Sequence, residues 1–217
     1  VHVATISGHE LWTALGVIKQ RGHTFELIST DYVIQDEITM RPSRIKRVIS
    51  EVDPTEIDHS GFDALMIVSG NMADTEAYWK HERVLEYVDA ADTANLPIAA
   101  ICCSVPTIRH AVGGKKVSFF PLVRSRHLLE DAGAILQTVA LTRDKNLVTA
   151  EHQMASQMWA EEFCNLIEGL PPAFTFTDSG YMPRGQPRMP IPEVEALRVK
   201  LGREPTKILK PRKQVQD

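Results

Sequence analysis

The sequence predicts an α/β protein built on a mostly parallel sheet covered by helices on both faces. Three observations carry this. Short apolar runs of strand length recur along the chain, among them Asp63 to Val68 (DALMIV), Pro97 to Ile101 and Leu147 to Ala150. Segments with apolar residues at helical spacing separate them, which is the alternation that parallel sheets require. The chain is also long enough, at 217 residues with 43% hydrophobic, to bury a substantial core.

Taken in order, Val1 to Ile6 reads as a buried strand. His9 to Arg21 reads as an amphipathic helix with Leu11, Leu15 and Ile18 on one face, closed by Gly22. Thr24 to Ile28 returns as a strand, and residues 31 to 60 are less regular, with short strands and a basic segment, Arg44-Ile45-Lys46-Arg47. Asp63 to Val68 is a strongly apolar strand ending at Ser69-Gly70. A long helix is expected from about Thr75 to Asp92, with Val84, Leu85 and Val88 on its inner face. After the Pro97 to Ile101 strand, Thr107 to Ala111 is placed on a helix. Lys116 to Phe120, Ile135 to Leu141 and Leu147 to Ala150 follow as strands, with an Arg126 to Ala132 helix between the first two, and Gln153 to Leu170 closes the domain as a helix.

Two units are expected: a globular domain over residues 1–170 and a C-terminal extension over 171–217. The extension is punctuated by Pro171, Pro172, Pro183, Pro187, Pro190, Pro192, Pro205 and Pro211, a composition that makes no core of its own. Its apolar residues, such as Phe174, Phe176 and Leu197, point to packing on the domain or on a second subunit.

The formal net charge of -4 argues against a nucleic-acid partner, since broad phosphate binding needs basic excess. Three cysteines, two of them adjacent, are not a disulfide framework and point to a reducing compartment. No apolar run reaches membrane-spanning length, and the first apolar segment is too brief for a signal peptide. The expectation is a soluble, cytoplasmic protein with a small-molecule substrate.

In a parallel sheet of this kind ligands bind beyond the carboxyl ends of the strands. Ser7 to Glu10, Ser69-Gly70, Cys102-Cys103 and Glu151-His152 each fall just past an expected strand end. Cys102 is the sharpest of these, because the apolar run Leu96 to Ile101 stops at a thiol and helix-like sequence begins at once. That junction exposes the side chain and aims free N–H groups at it, which favours a thiolate. Against this stands the ordinary fate of a free cysteine as a small buried hydrophobe.

The chain resembles the ThiJ/PfpI superfamily of the class I glutamine-amidotransferase-like fold. The resemblance rests on Glu10 with Gly22 twelve residues later, Asp63 to Gly70, Ala99-Ala100-Ile101-Cys102 and Glu130 to Ala134, and extends from the first strand to about Gly169. It implies a flavodoxin-like three-layer sandwich, commonly a homodimer or higher homo-oligomer. It also implies Cys102 as nucleophile, Glu10 as its acidic neighbour, and the backbone N–H groups of Gly70 and Cys103 as oxyanion donors.

Several positions depart from the family pattern. Peptidase-like members place a His directly after the nucleophile, where this chain has Cys103; others place a His before the Pro of the next strand, where it has Phe120 before Pro121. Ser69 replaces the first Gly of the usual Gly-Gly turn, and Ser104 stands two beyond the nucleophile in place of Gly. Peptidase activity therefore does not carry over. His152, past the Leu147 to Ala150 strand, lies roughly where glutamine amidotransferases keep their catalytic His, although Glu151 precedes it and Met154 stands where their Glu would. Its ordinary alternative is a polar cap.

Glu10, held against a thiol in an apolar elbow, is suited to staying protonated and managing the proton; its plainer role is to complement a helix dipole. Cys103 is taken as a packed neighbour, since adjacent cysteines close a strained ring on oxidation, and Cys164 as core filling. His9-Glu10-Leu11-Trp12-Thr13 lacks the second His of a zinc-protease helix, and the other histidines show no paired spacing, so no metal or cofactor is expected. Together these readings describe a cysteine-dependent enzyme acting on a small electrophile by hydratase, hydrolase or aldehyde chemistry. The alternatives are glutaminase-like hydrolysis through Cys102 and His152, and an oxidation-sensing or interaction protein.

Overall fold

The computed structural model describes residues 2–5, 9–29, 33–35, 42–44, 47–48, 62–68 and 76–174. Its strands are β1 (His2–Thr5), β2 (Glu26–Ser29), β3 (Val33–Gln35), β4 (Pro42–Arg44), β5 (Arg47–Val48), β6 (Leu65–Val68), β7 (Ile98–Ile101), β8 (Lys116–Ser118), β9 (Ile135–Gln137), β10 (Leu141–Asp144) and β11 (Leu147–Ala150). Its helices are α1 (His9–Gln20), α2 (Glu82–Thr93), α3 (Val123–Asp131) and α4 (Ser156–Ile167). A 3-10 segment, Cys102–Ala111, follows β7 directly, and a short 3-10 turn, Gln153–Ala155, leads into α4.

Seven strands form one sheet in the order β10-β11-β7-β6-β1-β2-β5. All neighbours pair in parallel except β10, which runs antiparallel to β11. The chain lays down β1, β2 and β5 outward in one direction, then returns to β1 and builds β6, β7 and β11 in the other. The reversal lies at the β1–β6 seam, where such sheets open a crevice at the carboxyl ends of their strands.

Strand alternation sorts the core into two halves. Met66, Val68, Ala99, Ile101, Val148 and Ala150 face α1 and α4, where Trp12, Leu15, Trp159 and Phe163 are buried. Leu65, Ile67, Ile98, Ala100 and Leu147 face α2, the 3-10 segment and α3, with Tyr87, Val88, Ile108 and Leu129. The result is the expected three-layer sandwich. Helix ends obey local chemistry: Gly22, at φ +82°, lets His23 N–H return to Ile18 O and Gly22 N–H to Lys19 O, and Asn95 at φ +53° closes α2 in the same way. At that end of α1 the Arg21 guanidinium bonds Asn165 on α4 and Glu168 just past its end, and it holds the Glu168 carboxyl below its usual range.

Among the differences from the sequence expectation, three change an element most. The single helix expected over 75–92 is interrupted: residues 76–78 are helical, 79–80 form a turn, and His81 adopts extended φ/ψ before α2 starts at Glu82. The expected strand 135–141 is two, β9 and β10, separated by a bend at the buried Val139 and Ala140. Finally, the closing helix begins as a 3-10 turn and ends at Ile167. Of the extension, residues 171–174 are described. The Ala173 N–H donates to Glu162 Oε2 at 2.9 Å, and Phe174 packs on the α1–α4 half of the core. Residues 175–217 lie outside the described residues. No helix of the described residues is long and apolar enough to cross a membrane.

A candidate active site at a strained cysteine

β11, β7, β6 and β1 are adjacent, parallel and in register at their carboxyl ends, where Ala150 pairs with Ile101 and Thr5 with Val68. The segments carrying His152, Cys102, Gly70 and Glu10 therefore leave one edge of the sheet from four neighbouring strands. Gly70 itself lies outside the described residues. α1 starts four residues after β1 ends, with Glu10 in its first turn, 6% exposed.

The chain turns at Cys102 within one residue. Ile101 is extended (φ -136°, ψ 143°), whereas Cys102 sits at φ +58° and opens the 3-10 segment. A non-glycine residue in that left-handed region stores about 1–3 kcal/mol of strain and persists only where its surroundings enforce it. Here two side chains do so. Ser104 Oγ accepts the Ile101 N–H at 3.0 Å, and its hydroxyl lies within donating reach of Ile67 O (3.0 Å) and Ile101 O (2.6 Å), fastening the elbow to β6 and β7. Trp79 Nε1 donates to Cys103 O at 2.8 Å, while Trp79 O accepts from the Arg109 guanidinium. Ser104, a departure from the family pattern, is thus the fastener of the turn. Ser104→Ala leaves the buried Ile101 N–H without that acceptor and is expected to lower stability by about 1–3 kcal/mol in urea unfolding.

Cys102 is half-buried against the α1–α4 half of the core, and Cys103 is buried. Their sulfurs lie 3.8 Å apart, with the Cys102 thiol donating to Cys103. The elbow is therefore not the only influence on the Cys102 thiol. The hydrogen bond to Cys103 comes first, then burial and the charges of Cys103 and Glu10; together they push the Cys102 thiol well above the ordinary thiol range. The same bond pulls Cys103 down, against burial and the charges of Glu10 and Glu76. Working the other way on Cys102 is the Cys103 backbone N–H, which is directed at its sulfur.

Two groups of this site were not singled out from the sequence. Glu76 and Trp79 sit on the interruption before α2, in a stretch whose apolar spacing reads as plain helix. Glu76 acts on the Cys103 sulfur and pairs with Arg124 at 3.1 Å.

His152 is the cap of the Gln153–Ala155 turn: its Nδ1 accepts the Met154 N–H at 3.2 Å. With Nδ1 so engaged, the neutral ring carries its proton on Nε2 and presents a donor. The ring lies 5.9 Å from that of Phe120, tilted by 37°, so the two residues share one wall of the edge. Cys164 is fully buried on α4, and burial raises its thiol to about 11, as core filling requires. Among the described residues no group of three His, Cys, Asp or Glu is placed to hold a metal ion.

Comparison with known proteins identifies the family. The uncharacterized protein MJ0967 of Methanocaldococcus jannaschii is 25% identical over 166 residues, covering 73% of this chain and 76% of its own. The ThiJ/PfpI domain protein of Brachyspira murdochii superposes with a TM-score of 0.66 at 18% identity, over 78% of this chain and 96% of that one. Schizosaccharomyces pombe DJ-1 superposes at 0.62 with 13% identity, over 77% and 96%. Residues 3–166 match the model of the DJ-1/PfpI family, and the chain belongs to that family.

Proposed function

We propose that the protein is a cysteine-dependent enzyme acting on a small electrophilic molecule, with Cys102 as nucleophile and Glu10 as proton carrier. The observation that supports this most directly is the strained turn itself. Cys102 is held at φ +58° at the end of β7, with the Cys103 N–H directed at its sulfur and Glu10 close enough to act on its charge. Strain of this kind is costly and clusters at sites of chemistry. In the first step Cys102 Sγ forms a bond to an electrophilic carbon and the π bond of a carbonyl or C–N multiple bond opens onto its heteroatom. The thiol proton passes by way of Glu10 to that heteroatom, and the N–H groups of Cys103 and Gly70 steady the charge that develops there. Hydration, hydrolysis or aldehyde processing follows according to what leaves.

The hydrogen bond to Cys103 and burial push the Cys102 thiol up, so a nearby acceptor for its proton is the part the reaction most needs. His152 supports the glutaminase-like alternative less well, because its Nδ1 is occupied by Met154 and its other nitrogen is a donor. We assign it a role in positioning substrate against the wall it shares with Phe120. The test is capture of the covalent intermediate. Incubation with a panel of small nitriles and primary amides, with acid quenching, is expected to leave a thioimidate or thioester adduct on the Cys102 peptide by mass spectrometry. Adducts distributed over surface nucleophiles, with none on Cys102, would overturn the reading.

A further inference from the structure

Cys103 is 4% exposed, and its sulfur lies 3.8 Å from that of Cys102. Cys164 is remote from this pair: it neighbours Arg21 at the end of α1 opposite Glu10, and eleven residues of helix span about 16 Å. Cys102, the half-buried member, is the sulfur a small oxidant reaches first, and Cys103 is the thiol positioned to answer it. The surrounding charge also discriminates between products. Glu10 acts on both sulfurs and Glu76 on Cys103, so a sulfinate would add a further anion beside carboxylates, whereas a disulfide is neutral.

We propose that Cys102 and Cys103 form a reversible vicinal disulfide on exposure to a hydroperoxide, with Cys103 as the resolving thiol. The inference stands whether or not Cys102 turns over a substrate. The Cys102 sulfur attacks one peroxide oxygen and the O–O bond breaks, giving a sulfenic acid; the thiol proton leaves with the other oxygen, as water when the oxidant is hydrogen peroxide. Cys103 sulfur then attacks the sulfenic sulfur, the S–S bond forms, the S–O bond breaks, and hydroxide departs with the Cys103 proton as a second water. The pair loses two electrons and two protons, and the peroxide gains both. Adjacent residues hold their Cα atoms at 3.80 Å, shorter than unstrained disulfides span, so the ring is strained and readily opened by an external dithiol.

The experiment exposes the full chain to a few equivalents of hydrogen peroxide and follows the Cys102–Cys103 peptide by mass spectrometry. The expected product is ~2 Da lighter, is blocked to iodoacetamide at both positions, and returns to the starting mass with dithiothreitol. In Cys103→Ala, and in Cys103→Ser as a second variant, the same treatment is expected to add ~32 Da at Cys102, the mass of a sulfinic acid. The proposal is overturned if the unsubstituted chain gains oxygen at Cys102 as fast as the variants, if the disulfide joins two chains, or if the peptide is unchanged.

Discussion

Cys102→Ser is expected to reduce turnover by roughly four orders of magnitude or more on any substrate the protein accepts, because a covalent nucleophile has no substitute within its own catalytic unit. Glu10→Gln is expected to cost about two orders of magnitude in kcat, the usual worth of a positioned proton carrier. His152→Ala should act mainly on KM, since its Nδ1 already serves the Met154 N–H. The three variants together separate the mechanisms. If the chain hydrolyses amides as an amidotransferase does, His152→Ala will be as damaging as Cys102→Ser, because members of one catalytic unit fail together. Full activity of Cys102→Ser would reject both mechanisms and leave a binding or structural role.

The second large effect concerns stability. Trp159 is fully buried where α4 meets the sheet, and its indole N–H donates to Val148 O on β11 at 3.1 Å. Trp159→Ala removes one of the largest side chains of the α1–α4 half of the core and is expected to destabilise the protein by about 3–5 kcal/mol. That is a sizeable part of the roughly 5–15 kcal/mol that holds a typical domain folded. Urea unfolding should show the midpoint falling with the slope preserved. Trp159→Phe keeps most of the ring volume but loses the donor, and should fall between the two. A midpoint shift equivalent to less than 1 kcal/mol for Trp159→Ala would mean that the helix layer repacks around the gap.

Much of this architecture was readable in the residues. β1, β6, β7 and β11 are short apolar runs whose ends carry the site, and the elbow announces itself because Ile101 is followed at once by a thiol and then by Ser104-Val105-Pro106. Periodicity failed where tertiary contacts overrode it. Tyr78, Val84, Leu85 and Val88 share helical spacing, yet the chain breaks between Trp79 and His81, where the Trp79 indole engages Cys103 O and its carbonyl takes the Arg109 guanidinium. Val139 and Ala140 continue an apolar run as a strand would, but they are buried in a bend. The state of the Cys102 thiol was out of reach for another reason: whether adjacent sulfurs meet depends on the torsions between the two residues and on their rotamers, which the residue types do not specify, and here the sulfurs lie 3.8 Å apart.

The Ser104 bond to Ile67 O has a consequence for how the site comes into being. β6 is the strand that joins the two halves of the sheet, pairing with β1 on one side and with β7 on the other. Contacts between segments so far apart in sequence form late, after loop closure has been achieved. The half of the chain from β7 to α4 contains the cysteines and His152 but not the acid, which waits on the other side of the seam. Until β6 docks, Cys102 lacks one of the anchors that keep it in its left-handed turn. The strained turn is therefore a property of the closed sheet, with β6 docked against β7, and not of the β7 segment alone.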